Sequence, residues 1–582
     1  MLKPQRNLHR ELVCLDGFWD FRPDPDATGE KLGWPTRFEA ASQLAVPGSW
    51  NEQQTDLERF FGRGWYAIEF DAPSAWNHRS VLLHVGCAQN HARVWLNGHL
   101  VGEHRGGCLP FVCELAAKLQ LGAPNRLTIE VDGSLNPWDI PAARIEAAAP
   151  EGFHHSNPAI TYDFFPYCGI ARSVHLEVTS TRARIETVIP DYTLDLATRT
   201  AALSIKVFCR DAAGATVSAS IEDAHGTATL DANGHATIEL TARDLRLWDV
   251  AQPELYRLNI SLARDNRVLD SYGQTIGFRK VEVTGDAFLL NGRKIFLNGF
   301  GKHEDFPLCG RAMPRPAIVR DFDLMKWVGA NSFRTSHYPY SEEWYDYADR
   351  HGVLVIGESP LVGLCTRLFE SADVLHRARG VIRDMIERDR HHPSVVLWSV
   401  ANEPWIETKS GDAFMLELLA QARATDPFRP VTYVAHMDVE HNAPSAHCDI
   451  VCLNKYYGWY ESPADIEKGT EQLGDMLDAF HKAFGKPMIF SEFGADAVAG
   501  MHTLPSAMFS EEFQAEIIET QYREARRRPW IVGAHVWAFA DFKTPQSITR
   551  VARNHKGIFT RERAPKLAAH ALRRLWTEFN AR

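Results

Sequence analysis

The sequence predicts a multidomain chain: a jelly-roll β-sandwich over 1–180, an immunoglobulin-like β-sandwich over 181–275 and a C-terminal (β/α)8 TIM barrel over 276–582. Three observations carry this. At 582 residues the chain is too long for one hydrophobic core. Its rhythm changes near residue 280, from closely spaced short strands to strand, loop and helix in alternation. The alternating part then holds eight strand-like apolar runs, the number that closes a barrel.

The β-rich part comes first. WYAIEF (from Trp65), VLLHVG (from Val81), ARVWLNG (from Ala92), RLTIEVDG (from Arg126) and SVHLEV (from Ser173) are short alternating or β-branched runs parted by Gly, Asn, Asp and Pro. That pattern indicates sandwiches. The first stretch is too long for an immunoglobulin-like unit and suits a jelly roll. The second, with LYRLNISLA (from Leu255), has the size of one.

Beyond residue 280 the runs are KIFLNG (from Lys294), NSFRTS (from Asn331), VLVIG (from Val353), VVLWSVA (from Val395), VTYV (from Val431), IVCL (from Ile450), MIFS (from Met488) and AHVWAFA (from Ala534). Helical spacing lies between them. Ile318, Phe322, Met325 and Val328 share one face, and a second helix runs from an N-cap at Ser341 to Gly352, with Trp344, Tyr347 and Ala348 inward. An open doubly wound sheet would show the same periodicity, so pattern alone leaves that alternative standing.

Composition removes several function classes. A formal charge of −11 disfavours nucleic acid and anionic membranes as partners. The first residues carry charge but no apolar signal core, and no run of about 18 apolar residues exists to span a bilayer. Ten cysteines without framework spacing suit reduced thiols, so a cytoplasmic protein is expected. Cys448 and Cys452 fall in a strand-like run with no second pair nearby, so no metal site is expected. HExxH, P-loop, GxGxxG and GxSxG motifs are all missing.

In a (β/α)8 barrel, catalytic groups gather at the C-terminal ends of the strands. Those ends are polar here: His303 and Glu304 after the first, His337 after the second, Glu358 after the third, Asn402 and Glu403 after the fourth, Asn454, Lys455 and Tyr456 after the sixth, Glu492 after the seventh. One carboxylate at a strand end is often a loop charge. Two on nearly opposite strands, with Tyr456, Tyr457, Trp459, Tyr460 and Trp537 nearby, form the set a two-carboxylate glycosidase needs. A separation of about 5 Å would mean retention and about 6.5–9.5 Å inversion, which sequence does not decide.

At Asn402-Glu403-Pro404 and Ser491-Glu492-Phe493-Gly494 the chain resembles glycoside hydrolase family 2, and within it the members that cleave β-glucuronides. The resemblance runs through LDGFWDF (from Leu15), VPGSWN (from Val46), VWLNGHLVGEHRGG (from Val94), DFFPYCGIAR (from Asp163), GFGKHED (from Gly299), GANSFRTSHYPY (from Gly329), HPSVVLWSVANEP (from His392), LNKYYGWY (from Leu453) and HKGIFTR (from His555). It implies retaining exo-hydrolysis of terminal β-D-glucuronides, with Glu403 as acid/base, Glu492 as nucleophile and no cofactor. By similarity Asn402 holds the sugar 2-OH, and Asn454, Tyr456 and Tyr460 shape the surroundings of the nucleophile. His337, Trp537 and Asp163 match sugar-contacting positions. Asn554 and Lys556, with Arg550 four residues before Asn554, match the motif that binds the C6 carboxylate.

The family also implies a homo-oligomer, dimer or tetramer. The chain departs from it at Phe493, where relatives have Tyr, and at Ala538, where they have Asn. The segment after Pro360 is short, which implies an open leaving-group side and room for oligosaccharide glucuronides. A β-galacturonidase or dual-specificity uronidase stays open, because the carboxylate motif does not read the C4 hydroxyl. A neutral-sugar hydrolase would leave Asn554 and Lys556 without a purpose. A non-catalytic carbohydrate-binding protein would have no need of both Glu403 and Glu492.

Overall fold

A computed structural model describes residues 1–143 and 156–580. Eight parallel strands close into a barrel, each hydrogen-bonded to the next: β1 Leu297–Gly301, β2 Ser332–Arg334, β3 Leu354–Glu358, β4 Val395–Asn402, β5 Val431–Ala435, β6 Val451–Asn454, β7 Met488–Glu492 and β8 Ile531–Trp537. Closure is made by Leu297 opposite Gly533 through Gly301 opposite Trp537. The open-sheet alternative is excluded. Every residue of these strands is buried, as expected where helices cover the outside and side chains fill the inside.

The helices follow the expected faces, with two differences. Arg315–Val328 buries Ile318, Phe322, Met325 and Val328 and ends on Gly329 at φ 91°, a left-handed cap that glycine adopts without strain. Glu342–His351 buries Trp344 and Ala348 as expected, but its third large inward residue is Tyr345 while Tyr347 is half-buried. The second difference is between β5 and β6. There the link is two short 3-10 turns, Val439–His441 and Ala443–His447, and not an α-helix. The segment is brief and carries Pro444, which cannot donate within a helix.

The N-terminal region is a sandwich. Its six-stranded sheet runs in the order Ser42–Val46, Gly17–Asp24, Arg63–Ala72, Ala123–Asp132, His91–Leu96, His99–Arg105. Its four-stranded sheet runs Arg10–Cys14, Val174–Thr179, Val81–Val85, Phe111–Glu114. Trp19, Phe21, Trp50, Tyr66, Leu83 and Ile129 belong to the core between them. The next sandwich packs a three-stranded sheet beginning at Arg184 against a four-stranded sheet ending at Ile276, around Leu203, Ile205, Val217, Leu258 and Ile260. Alternation of buried and exposed residues along Thr200–Arg210 and Tyr256–Arg264 is why these segments form two-layer sheets.

Two joints position the parts. Trp248 leaves the second sandwich, joins the cluster of Phe288, Leu290, Leu297, Leu354 and Ile489, and donates its indole N–H to the Asp349 carbonyl oxygen at 2.7 Å. Segment 156–172 leaves the first sandwich and crosses to the barrel. Ser156 and Asn157 pair with Ser547 and Gln546, the Phe165 N–H donates to the Lys543 carbonyl oxygen at 3.0 Å, and Arg172 pairs with Glu304 at 2.9 Å. Glu304, one of the polar residues after β1, is thereby a bolt between domains. Cys448 precedes β6 and Cys452 lies within it, both free thiols. No described helix is long and apolar enough to cross a membrane.

Candidate active site

The strand ends bring Asn402, Glu403, Asn454, Tyr456, His337, Trp537 and Glu492 together at one mouth of the barrel. Glu492, the last residue of β7, accepts a hydrogen bond from the Tyr456 hydroxyl at 2.6 Å and pairs with the Arg334 guanidinium. Glu403 follows β4 in a left-handed conformation, φ 48°, which is uncommon for a side chain of its size and occurs most at functional sites. Its Oε1 accepts from Asn454 Nδ2 at 2.8 Å. Asn454 Nδ2 also approaches Asn402 Oδ1 at 3.3 Å, and the Ser491 hydroxyl fixes its orientation by donating to Oδ1 at 2.9 Å. One amide therefore links the ends of β4, β6 and β7.

Sequence reasoning missed the centre of this network. Arg334 ends β2, is fully buried, and donates to Glu358 Oε1 at 2.7 Å, to Glu358 Oε2 at 2.8 Å, to Asn402 Oδ1 at 3.3 Å and to Glu492. Glu358 in turn meets His337 Nδ1 at 2.9 Å and accepts from the Ser399 hydroxyl at 2.8 Å. The available signal was an arginine inside NSFRTS, a run otherwise read as a buried strand. A buried cation there requires carboxylate partners.

Burial is the largest influence on all three carboxylates, with different outcomes. At Glu358 burial opposes ionisation, but Arg334 and then His337 outweigh it and hold the carboxyl below its ordinary range. At Glu492 burial prevails and lifts the carboxyl above the usual range, Arg334 opposing it and the charge of Glu403 adding to it. At Glu403 burial again lifts the carboxyl, against the Asn454 hydrogen bond and Arg334. The Glu403 charge that raises Glu492 favours a state in which one of the two carboxyl groups holds a proton.

The walls are aromatic. Trp537 ends β8 and stacks on His337 with ring centroids 5.0 Å apart at 20°. A Cβ at Gly301 would come within 2.4 Å of that indole, so glycine is what lets Trp537 lie across the mouth. Phe493 stacks on Phe490 at 4.4 Å inside the core, and Ala538 is also buried there, its N–H on the Lys556 carbonyl oxygen at 2.9 Å.

The third assembly lies after β8. Lys556, 1% exposed, donates to Asp496 Oδ2 at 2.5 Å and to the Tyr460 hydroxyl at 2.9 Å. Arg550 donates to the same hydroxyl at 3.0 Å and grips Asp163 through contacts of 2.9, 3.1 and 2.7 Å. Asn554 donates to Asp163 Oδ2 at 2.7 Å and accepts from the Lys556 N–H at 2.9 Å. Tyr460, expected around the nucleophile, therefore belongs to this cationic cluster, while Tyr456 alone of the two touches Glu492. Asp496 was not anticipated. Burial opposes its ionisation, but Lys556 and then Arg550 hold it below the ordinary carboxylate range. Asp163, arriving from the first sandwich, fills the position between Arg550 and Asn554.

Comparison with known proteins agrees along the whole chain. The profile described as "Glycosyl hydrolases family 2, sugar binding domain" matches residues 12–180, "Glycosyl hydrolases family 2" matches 174–279, and "Glycosyl hydrolases family 2, TIM barrel domain" matches 281–581. A β-glucuronidase of Paenibacillus borealis is 37% identical over 99% of this chain and 99% of its own. Among solved structures, Bifidobacterium dentium β-glucuronidase complexed with coumarin-3-O-glucuronide superposes with a TM-score of 0.93 at 36% identity, covering 99% of this chain and 98% of that one. Ruminococcus gnavus β-glucuronidase in complex with D-glucuronic acid does so with a TM-score of 0.89 at 34% identity, covering 99% of both. With a closed barrel, two glutamates at the ends of β4 and β7, and matches that leave almost no residue uncovered, the chain belongs to the family 2 glycosyl hydrolases.

Proposed function

We propose that this chain is a retaining exo-β-glucuronidase, releasing D-glucuronate and an alcohol from terminal β-D-glucuronides. One observation carries the substrate: Lys556 and Arg550 converge on the Tyr460 hydroxyl, with Asn554 beside Arg550 on Asp163, a grouping of two cations and an amide that suits a substrate carboxylate. Charge-assisted hydrogen bonds of this kind favour a uronate over a neutral hexose. The similar enzymes of Paenibacillus borealis and Bifidobacterium dentium carry the β-glucuronidase name.

The mechanism follows from the arrangement. The ionised carboxylate of Glu492 attacks the anomeric carbon while protonated Glu403 gives its proton to the departing oxygen, leaving a glycosyl ester on Glu492. Glu403, now ionised, takes a proton from water, whose oxygen attacks the same carbon and expels Glu492. Arg334 and the Tyr456 hydroxyl steady the Glu492 carboxylate before it attacks and again as it is expelled. Asn402, tethered to Arg334 and Asn454, faces the 2-OH. His337 and Trp537 form the floor, and Asp163 takes up sugar hydroxyls when the uronate occupies the cationic cluster.

We further propose domains at 1–180, 181–275 and 276–582, a cytoplasmic setting and a homo-oligomer, dimer or tetramer. The ten free cysteines and the family relationship support these readings. The cationic cluster does not read the C4 hydroxyl, so a β-galacturonide belongs in the test. Turnover of p-nitrophenyl β-glucuronide, β-galacturonide and β-galactoside is compared in the unmodified chain, Glu492→Gln and Lys556→Ala. Glu492→Gln should abolish all turnover and Lys556→Ala should selectively lose uronides. An enzyme that prefers the galactoside contradicts the proposal.

A further inference from the structure

Glu403 delivers its proton to the oxygen of whatever departs, so the leaving group lies over the rim beside it. The ends of β4 and β5, neighbours in the barrel, make that rim. Two side chains there take no part in the machinery above. Trp405 stands two residues beyond Glu403. Its backbone N–H donates to the Leu364 carbonyl oxygen at 2.8 Å, and 47% of its surface is open. A single exposed indole means little alone, because apolar atoms make up much of any protein surface.

The second observation concerns His436, the first residue after β5. Its ring meets Trp405 edge to face, centroids 4.9 Å apart at 73°. Both imidazole nitrogens are buried, and neither has a hydrogen-bond partner among the described residues. Burial, with the nearby Lys455 charge adding, draws its pKa down to about 4, so at neutral pH the ring offers one donor and one acceptor. Buried polar groups without partners are rare in folded proteins and call for an explanation. A half-open indole that lies edge-on to the imidazole can turn about its side-chain bonds and bring the imidazole into reach.

We propose that Trp405 and His436 form a binding site for a ring-shaped leaving group, one with an apolar face for the indole and a hydroxyl or carbonyl at its edge for the imidazole. A phenolic aglycone and a pyranose of a larger glucuronide share that chemistry. The site rests on Glu403 being the acid of a glucuronidase.

The test measures kcat/KM of the full chain on methyl β-glucuronide, 4-methylumbelliferyl β-glucuronide and a β-glucuronyl disaccharide. The quantity read is the ratio of each ring substrate to the methyl one, which partial misfolding of a variant leaves untouched. Trp405→Ala should lower the ratio about fivefold or more for at least one ring substrate, with Trp405→Phe restoring most of it. His436→Leu should lower the same ratio several-fold. Loss on the aryl arm alone identifies a phenolic occupant, and loss on the disaccharide arm alone a sugar. Ratios unchanged within about twofold in either Trp405→Ala or His436→Leu overturn the proposal. If the unmodified chain is active yet the ratios hold, only this site is refuted. If it is silent on all three substrates, the glucuronidase reading falls and takes the site with it.

Discussion

Replacing Lys556 by alanine separates two things the ammonium does. In the proposed function it binds the substrate carboxylate, and a hydrogen bond between charged partners contributes about 1.5–3 kcal/mol. At 1.4 kcal/mol per tenfold, kcat/KM for a uronide should fall roughly 10- to 150-fold. A neutral β-galactoside, with no carboxylate to lose, should change less than about threefold. The same ammonium neutralises Asp496, 2% exposed, whose remaining support would be the His555 N–H at 2.8 Å and Arg550 at 4.0 Å. Breaking one side of a buried pair costs about 3–5 kcal/mol, so the Tm should drop as well. Adding Asp496→Ala should recover most of that stability while uronide activity stays lost. Steady-state kinetics on both substrates and thermal melting of both variants read this out. If the double variant regains uronide turnover along with stability, Lys556 serves the fold and the substrate assignment is wrong.

Other consequences follow from the same network. Burial raises the Glu403 carboxyl in the folded chain, so its stabilising contribution is complete below the ordinary carboxylate range and lost as pH rises through the raised value. Glu403→Gln should therefore melt higher than the unmodified chain at neutral pH and equally in acid, and lose the alkaline limb of the kcat profile; an unchanged Tm at neutral pH counts against the buried acid. Tyr456→Phe removes a hydrogen bond that favours ionised Glu492, so the acidic limb of kcat/KM should move to higher pH; movement to lower pH contradicts it. Arg334→Lys keeps a charge but cannot span Glu358, Asn402 and Glu492 together, and should cost about 10²-fold or more in kcat. Near-normal turnover would mean that Arg334 does not hold the nucleophile in place.

What could be read before the structure depended on how local the signal was. Buried strands announce themselves by apolar runs, so all eight barrel strands lie where the sequence places them. The link between β5 and β6 fails that logic because a short turn-rich segment has no period to read. Glu403 and Glu492 stand out as carboxylates at strand ends, and their motifs are contiguous. Arg334 and Asp496 do not, because each is defined by partners far away in sequence, at Glu358 and Glu492 for one and at Lys556 for the other. The position of Tyr460 shows the same limit. Four residues from Tyr456, it points to Lys556 and Arg550 instead of the nucleophile, and no spacing rule distinguishes the two.

The central claim is that Glu492 carries the sugar covalently while Glu403 gives and takes the proton. Incubating the chain with 2-deoxy-2-fluoro-β-glucuronyl fluoride, which slows both steps but spares the first through its good leaving group, should trap the ester. Peptide mass mapping should then place one fluoroglucuronyl group on Glu492, with none bound in Glu492→Gln. A label on Glu358 or Glu403, or turnover with inversion and no label, would contradict the account.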